Sequence, residues 1–183
     1  GAGVGDVDAD GHADFILGAA YAGTNGQRGD GAAYLYSGAT GALLHEFLGD
    51  SQNQGLGGWV GGGADQDRDG RPDFFFTSSH GVLTSVRWFS GATFQEFFRM
   101  DEPENHVFQY VALAGDVNGD GTSEMIFGDY SHSRNGELLI GAAKVLGMDP
   151  LVQASRHEIS AAAGGIAYYE LDFPDSFGGG AYQ

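Results

Sequence analysis

The chain has 183 residues, 42% of them hydrophobic and including 13 Phe and 8 Tyr, which is enough to build a core. Eight Lys and Arg face 25 Asp and Glu, and a net charge of −17 argues against nucleic acid or an anionic membrane as partner, because both need clustered cations. Cysteine is absent, which removes disulfides and Cys-based zinc sites, and no apolar run approaches the length of a membrane span. The 33 glycines are about two and a half times average usage, show no Gly-X-Y period and separate short β-branched and aromatic runs. That pattern predicts an all-β fold with many tight turns.

Taken in chain order, the first acidic loop is Asp6-Val-Asp8-Ala-Asp10-Gly11-His12-Ala-Asp14, and it runs straight into the apolar stretch Phe15-Ile16-Leu17. Asn25-Gly26 reads as a hairpin turn. A strand at Gly31-Ala32-Ala33-Tyr34-Leu35-Tyr36, a turn at Ser37-Gly38-Ala39-Thr40 and a strand over residues 43–48 follow. Trp59-Val60 opens a second unit, whose loop is Asp65-Gln-Asp67-Arg-Asp69-Gly70-Arg71-Pro-Asp73, followed by Phe74-Phe75-Phe76. Ser90-Gly91-Ala92-Thr93 repeats the earlier turn, and residues 94–100 form the next apolar-polar run. Residues 110–114 open a third unit, with the loop Asp116-Val-Asn118-Gly-Asp120-Gly121-Thr122-Ser-Glu124 and then Met125-Ile126-Phe127. Asn135-Gly136 is again a hairpin turn, and Gly141-Ala142-Ala143 begins 17 residues after Glu124, as Gly31-Ala32-Ala33 begins 17 after Asp14.

The loops start 59 and 51 residues apart, so the chain is a tandem repeat with units at about 1–54, 55–105 and 106–150. Each unit reads as strand, acidic loop, strand, variable loop, strand, glycine turn, strand; the opening strand of the first is expected to be cut off. Four short antiparallel strands per unit predict blades of a β-propeller, here a partial one of three repeats. The closing run of the third repeat is expected at residues 151–155. Residues 151–183 are expected to begin another β module or an irregular blade, with a hairpin around Gly164-Gly165. The chain reads as an excerpt of a longer protein, so the lack of a visible signal peptide does not bear on secretion.

The loops have the chemistry of a hard-cation site. Calcium takes six to eight oxygen ligands, and short acidic side chains on alternate residues of a turn supply them. Positions 1, 3 and 5 are Asp6, Asp8 and Asp10; Asp65, Asp67 and Asp69; Asp116, Asn118 and Asp120. Glycine at position 6 permits the bend. Position 7 (His12, Arg71, Thr122) varies as expected of a residue that offers only its carbonyl, and position 9 (Asp14, Asp73, Glu124) closes the shell. Eleven of the 25 acids lie in these loops. Like charges about 4 Å apart repel by about 4 kcal/mol per pair at an effective dielectric of 20, so such clustering calls for a cation. An EF-hand is excluded because position 12 is Leu17, Phe76 or Phe127 where it needs Glu, and the flanks are β-like. Magnesium, which keeps its waters and uses few carboxylates, suits the loops less well. About three calcium ions are therefore expected, one per repeat.

The loop pattern, with Phe-Ile-Leu-Gly-Ala-Ala over residues 15–20 and Gly-Ala-Ala-Tyr-Leu-Tyr-Ser-Gly over 31–38, resembles the FG-GAP (VCBS-type) repeat of integrin-α-like β-propellers and of secreted bacterial proteins. The resemblance covers residues 5 to about 150. It implies calcium at the acidic positions named above and a ring that usually has seven blades. The Gly18-Ala19-Ala20 element changes to Thr77-Ser78-Ser79 and Gly128-Asp129-Tyr130 in the later repeats. The function expected is a non-catalytic, calcium-binding segment of a secreted or cell-surface protein, for adhesion or for binding a protein or glycan ligand. The alternative is the scaffold or accessory propeller of an extracellular carbohydrate-active lyase or hydrolase. Catalytic spacing is lacking: the six histidines form no zinc-protease motif, and there is no nucleophile elbow or phosphate loop. Arg28-Gly29-Asp30 spells the tripeptide that integrins recognise, but chance accounts for it in a Gly- and Asp-rich chain. Trp59 and Trp88 are expected in the core.

Overall fold

A computed structural model describes residues 1–23, 29–49, 55–80, 83–101, 108–117, 119, 121–129, 142–149 and 165–170. The described residues are all-β: twelve strands in three four-stranded antiparallel sheets, each strand paired with its chain neighbour. The first sheet holds β1 (Ala2–Gly5), β2 (Asp14–Ala19), β3 (Ala32–Tyr36) and β4 (Leu43–Leu48). The second holds β5 (Val60–Ala64), β6 (Asp73–His80), β7 (Leu83–Phe89) and β8 (Glu96–Asp101). The third holds β9 (Phe108–Gly115), β10 (Glu124–Asp129), β11 (Ala142–Asp149) and β12 (Gly165–Glu170).

Two strands depart from the sequence expectation. The first repeat keeps its opening strand, since β1 pairs with β2 (Ala2 opposite Ile16), anchored by the fully buried Val4. Residues 165–170, expected to begin another β module or an irregular blade, form the fourth strand of the third sheet, with Val145 opposite Tyr169 and Gly147 opposite Ala167. Alternating apolar residues fit that role as well as they fit a new hairpin, and pairing with β11 satisfies the backbone groups of both strands. The closing run expected at 151–155 and the turns at Asn25-Gly26 and Asn135-Gly136 lie outside the described residues.

The sheets stack face to face, and period-two alternation explains how. Phe74 and Phe76 point toward the first sheet, into a cluster with Val4, Ile16, Leu35 and Phe47. Phe75, between them, points the other way, into a cluster with Val86, Trp88, Met100, Met125 and Phe127. A strand covered on both sides needs an unbroken apolar run, which is why Phe74-Phe75-Phe76 shows no alternation of polarity. Phe47 meets Phe74, Phe76 and Phe89 at ring-centroid separations of 5.5, 5.2 and 4.9 Å. The Trp88 indole N–H points at Met125 Sδ, 3.0 Å away, across the second interface. Each such buried side chain contributes about 1.5–3 kcal/mol. Trp88 is core, as expected, but Trp59 is not: it is exposed and tilts against the ring of Tyr110, 4.9 Å away. The opening strands are neighbours, β1 beside β5 and β5 beside β9, so the acidic loops that follow them lie side by side.

Candidate metal centres

Each acidic loop joins the opening strand of a sheet to its second strand, and the described positions 4 and 6 share the same left-handed backbone in all three. Position 6 is left-handed in all three, with φ of 89° at Gly11, 92° at Gly70 and 90° at Gly121. Only glycine adopts that conformation without strain, so it fixes the bend on which the ligand geometry depends. Position 4 is left-handed too, at Ala9, Arg68 and Gly119.

The carboxylates of the first two loops fall into two sets with different surroundings. Positions 1, 3 and 5 line the mouth, which in the second loop the buried Asp73 of position 9 also reaches, beside Asp65 and Asp67. Asp6 Oδ1 and Oδ2 accept from the amides of Asp10 and Gly11, both at 3.0 Å, and Asp65 does the same for Asp69 and Gly70 at 3.1 and 2.9 Å. Asp8 and Asp67 also accept from position 5, and Asp10 and Asp69 from position 7. These turns curl the side chains inward. Asp6, Asp8 and Asp10 bring ligand oxygens within 4.8 Å of one another, and so do Asp65, Asp67 and Asp73. Both groups could hold a metal ion. In the third loop the amides of Gly119 and Gly121 donate to Asp116 at 2.6 and 3.0 Å, while Asn118 and Asp120 lie outside the described residues.

Position 9 is different. Asp14, Asp73 and Glu124 are essentially without solvent exposure. Asp73 Oδ2 accepts from the amides of Gln66 (2.7 Å) and Asp67 (3.0 Å), and Oδ1 from Gly91 (2.9 Å). Asp14 repeats this with Val7, Asp8 and Gly38, and Glu124 accepts from Val117 at 2.6 Å. In the first two loops the closing acid is therefore first a staple, tying the start of its loop to the glycine turn between the third and fourth strands. Burial pushes the Asp73 carboxyl up to about 6, outweighing the three amides that pull it down, and the Asp67 charge adds to the rise. Asp67 is raised as well, by burial first and then by Asp69 and Asp65. The position 7 side chains do not converge on the mouth in one way: His12 sits 3.4 Å from Asp10, Arg71 reaches the Val7 carbonyl at 3.3 Å, and Thr122 is buried.

Several residues that build the site are not acids. A Cβ on Gly38 would lie 1.8 Å from the Ala13 carbonyl oxygen, and one on Gly91 2.1 Å from that of Pro72, so only glycine lets the turn press against the loop. The Ser90 hydroxyl donates to Asp69 at 2.7 Å. The signal for these residues was the recurrence of Ser-Gly-Ala-Thr in the first two repeats. Gln66 gave no signal, yet its side-chain amide is buried and pairs with Ser123 in both directions, at 2.6 and 3.1 Å, clasping the second loop to the third. Of the tripeptide Arg28-Gly29-Asp30, Arg28 lies outside the described residues and Asp30 is buried. Among the described residues no helix is long and apolar enough to cross a membrane.

Comparison with protein-family models and with curated proteins finds no match to this chain.

Proposed function

We propose that this chain is a calcium-binding segment of a β-propeller of the FG-GAP type, in which the metal has a structural role. The observation that carries the reading is the repetition of one loop geometry: the same bend at Gly11, Gly70 and Gly121, and the same buried closing acid at Asp14, Asp73 and Glu124. Support for radial blades comes from neighbouring opening strands and from sheets stacked face to face. Calcium fits better than magnesium because each loop gathers several carboxylates, whereas magnesium keeps its waters and uses few. Its task is to neutralise Asp6, Asp8 and Asp10, Asp65, Asp67 and Asp69, and Asp116 and Asp120, so that loops lying side by side can stay packed. The chain is non-catalytic in this reading. It belongs to a secreted or cell-surface protein, where millimolar calcium meets weak sites, and its exposed surface serves adhesion or binding of a protein or glycan.

The test is thermal unfolding with calcium and with a chelator. A ligand that binds only the folded state stabilises it by about 2.7 kcal/mol at 100 times its Kd. A clear fall in Tm on chelation, restored by calcium and not by equal magnesium, is expected. An unchanged melting curve would sink the proposal.

A further inference from the structure

Position 2 of an acidic loop, between its first two acids, is where one loop touches the next. Val7 and Gln66 stand there, and both are buried. The Val7 carbonyl accepts from the guanidinium of Arg71, position 7 of the second loop, at 3.3 Å. The Gln66 side chain takes both backbone groups of Ser123, position 8 of the third loop. Its NH2 donates to the Ser123 carbonyl at 2.6 Å, and its Oε1 accepts from the Ser123 amide at 3.1 Å. Val7 and Gln66 are also gripped within their own loops, since their amides donate to the closing acids Asp14 and Asp73 at 2.8 and 2.7 Å. Ser123 in turn precedes Glu124, the closing acid of the third loop, which accepts from the Val117 amide. A line of bonded groups thus runs from Asp73 through Gln66 and Ser123 to Glu124, and Asp73, Gln66 and Glu124 along it are buried.

We propose, resting on the calcium-binding reading above, that Gln66 couples the second and third loops, so that cation uptake by one raises the affinity of the other. Asp65, Asp67 and Asp73 are the acids whose oxygens lie within 4.8 Å of one another. Gln66 sits in the chain between two of them and donates its amide to the third. Drawing these acids together fixes Gln66, and a fixed Gln66 fixes Ser123, between positions 7 and 9 of the third loop. Residues 122–124 are then ordered before the third loop fills, and a binding event that meets an ordered loop costs less. Linkage makes the effect equal in both directions. Charge acts with the opposite sign. An empty second loop carrying Asp67→Asn keeps Asp65, Asp69 and Asp73, and it is more negative than a filled loop of four acids and a divalent cation. It therefore attracts a cation to its neighbour more strongly, so a loss of affinity there identifies the clasp and not the field.

Calcium titration of the 183-residue protein, followed by the NMR signal of the Gly121 amide, tests this. That amide donates to Asp116 at 3.0 Å and so reports on the third loop. Asp67→Asn, in the second loop, is expected to move the Gly121 midpoint to about fivefold higher calcium, the lower end of typical coupling between sites. Gln66→Met, which fills the same space and makes neither bond to Ser123, is expected to raise the midpoint on its own. Adding Asp67→Asn to it then raises the midpoint no further. Gln66→Ala takes its place should circular dichroism show that Gln66→Met loses the fold. A Gly121 signal with no saturable response to calcium would overturn the calcium-binding reading together with the coupling. Saturation at one midpoint with and without Asp67→Asn, or a rise that persists in Gln66→Met, would overturn the coupling and leave the calcium sites standing.

Discussion

Within one acidic loop, the mouth and the closing acid solve opposite problems. Asp65, Asp67 and Asp69 crowd negative charge at the surface, held by short turns through backbone amides. Asp73 sits in the interior, where its two oxygens take three amides from two separate segments. A cation bound at the mouth would relieve its repulsion. The closing acid has partners without one, and it carries structure across the sheet, from the start of the loop to the Ser90-Gly91 turn. A loop of this kind can stay folded while empty and tighten when filled, which is what a structural clip requires.

Asp73→Ala breaks the closing half and has the largest effect. Three amides, two of them in buried bonds, lose their acceptor, at about 1–3 kcal/mol for each buried group left unpaired, so urea unfolding should show a loss of about 3 kcal/mol, with calcium or without. Asp67→Asn tests the mouth. It keeps an acceptor for the Asp69 amide, removes one charge and installs the residue type that stands at Asn118. Metal-free stability should hold or rise by about 1 kcal/mol, while the calcium-dependent gain in Tm shrinks. If both substitutions proved harmless without calcium and harmful with it, the two halves would not differ as described.

The pH dependence sharpens the contrast further. Asp73 has a folded pKa raised to about 6 from 3.8, so in the metal-free protein its ionised form costs stability, and that cost is relieved as pH falls through about 6 toward 3.8. Calcium favours the ionised form, and protons then compete with it. Calcium affinity of the second loop should fall as pH drops below about 6, while this group's contribution to metal-free stability moves the other way. Titrations at pH 7 and pH 5, with melts of the metal-free protein at both, would show whether the signs are opposite.

The repeated acidic loops were legible in the sequence because alternating acids, a fixed glycine and a following apolar run are local features. The all-β class was legible for the same reason, since turn residues and short apolar runs are short-range signals. What stayed hidden depends on pairing between distant segments. Nothing in the residues of 165–170 says that β11 is their partner, and four residues at Ala2–Gly5 carry little pattern of their own. Trp59 resembles core by residue type alone, yet it stands where β5 begins and packs its half-exposed ring against Tyr110. The Gln66 clasp was invisible because a glutamine among aspartates looks like one more polar loop residue.

The account stands or falls on the number of cations the loops take up. Calorimetric titration of calcium into chelator-treated protein at neutral pH measures that directly. Saturable binding of about three equivalents, with one of them weakened in Asp67→Asn, is the predicted result. Absence of saturable heat at millimolar calcium, or binding that Asp67→Asn leaves unchanged, would contradict it.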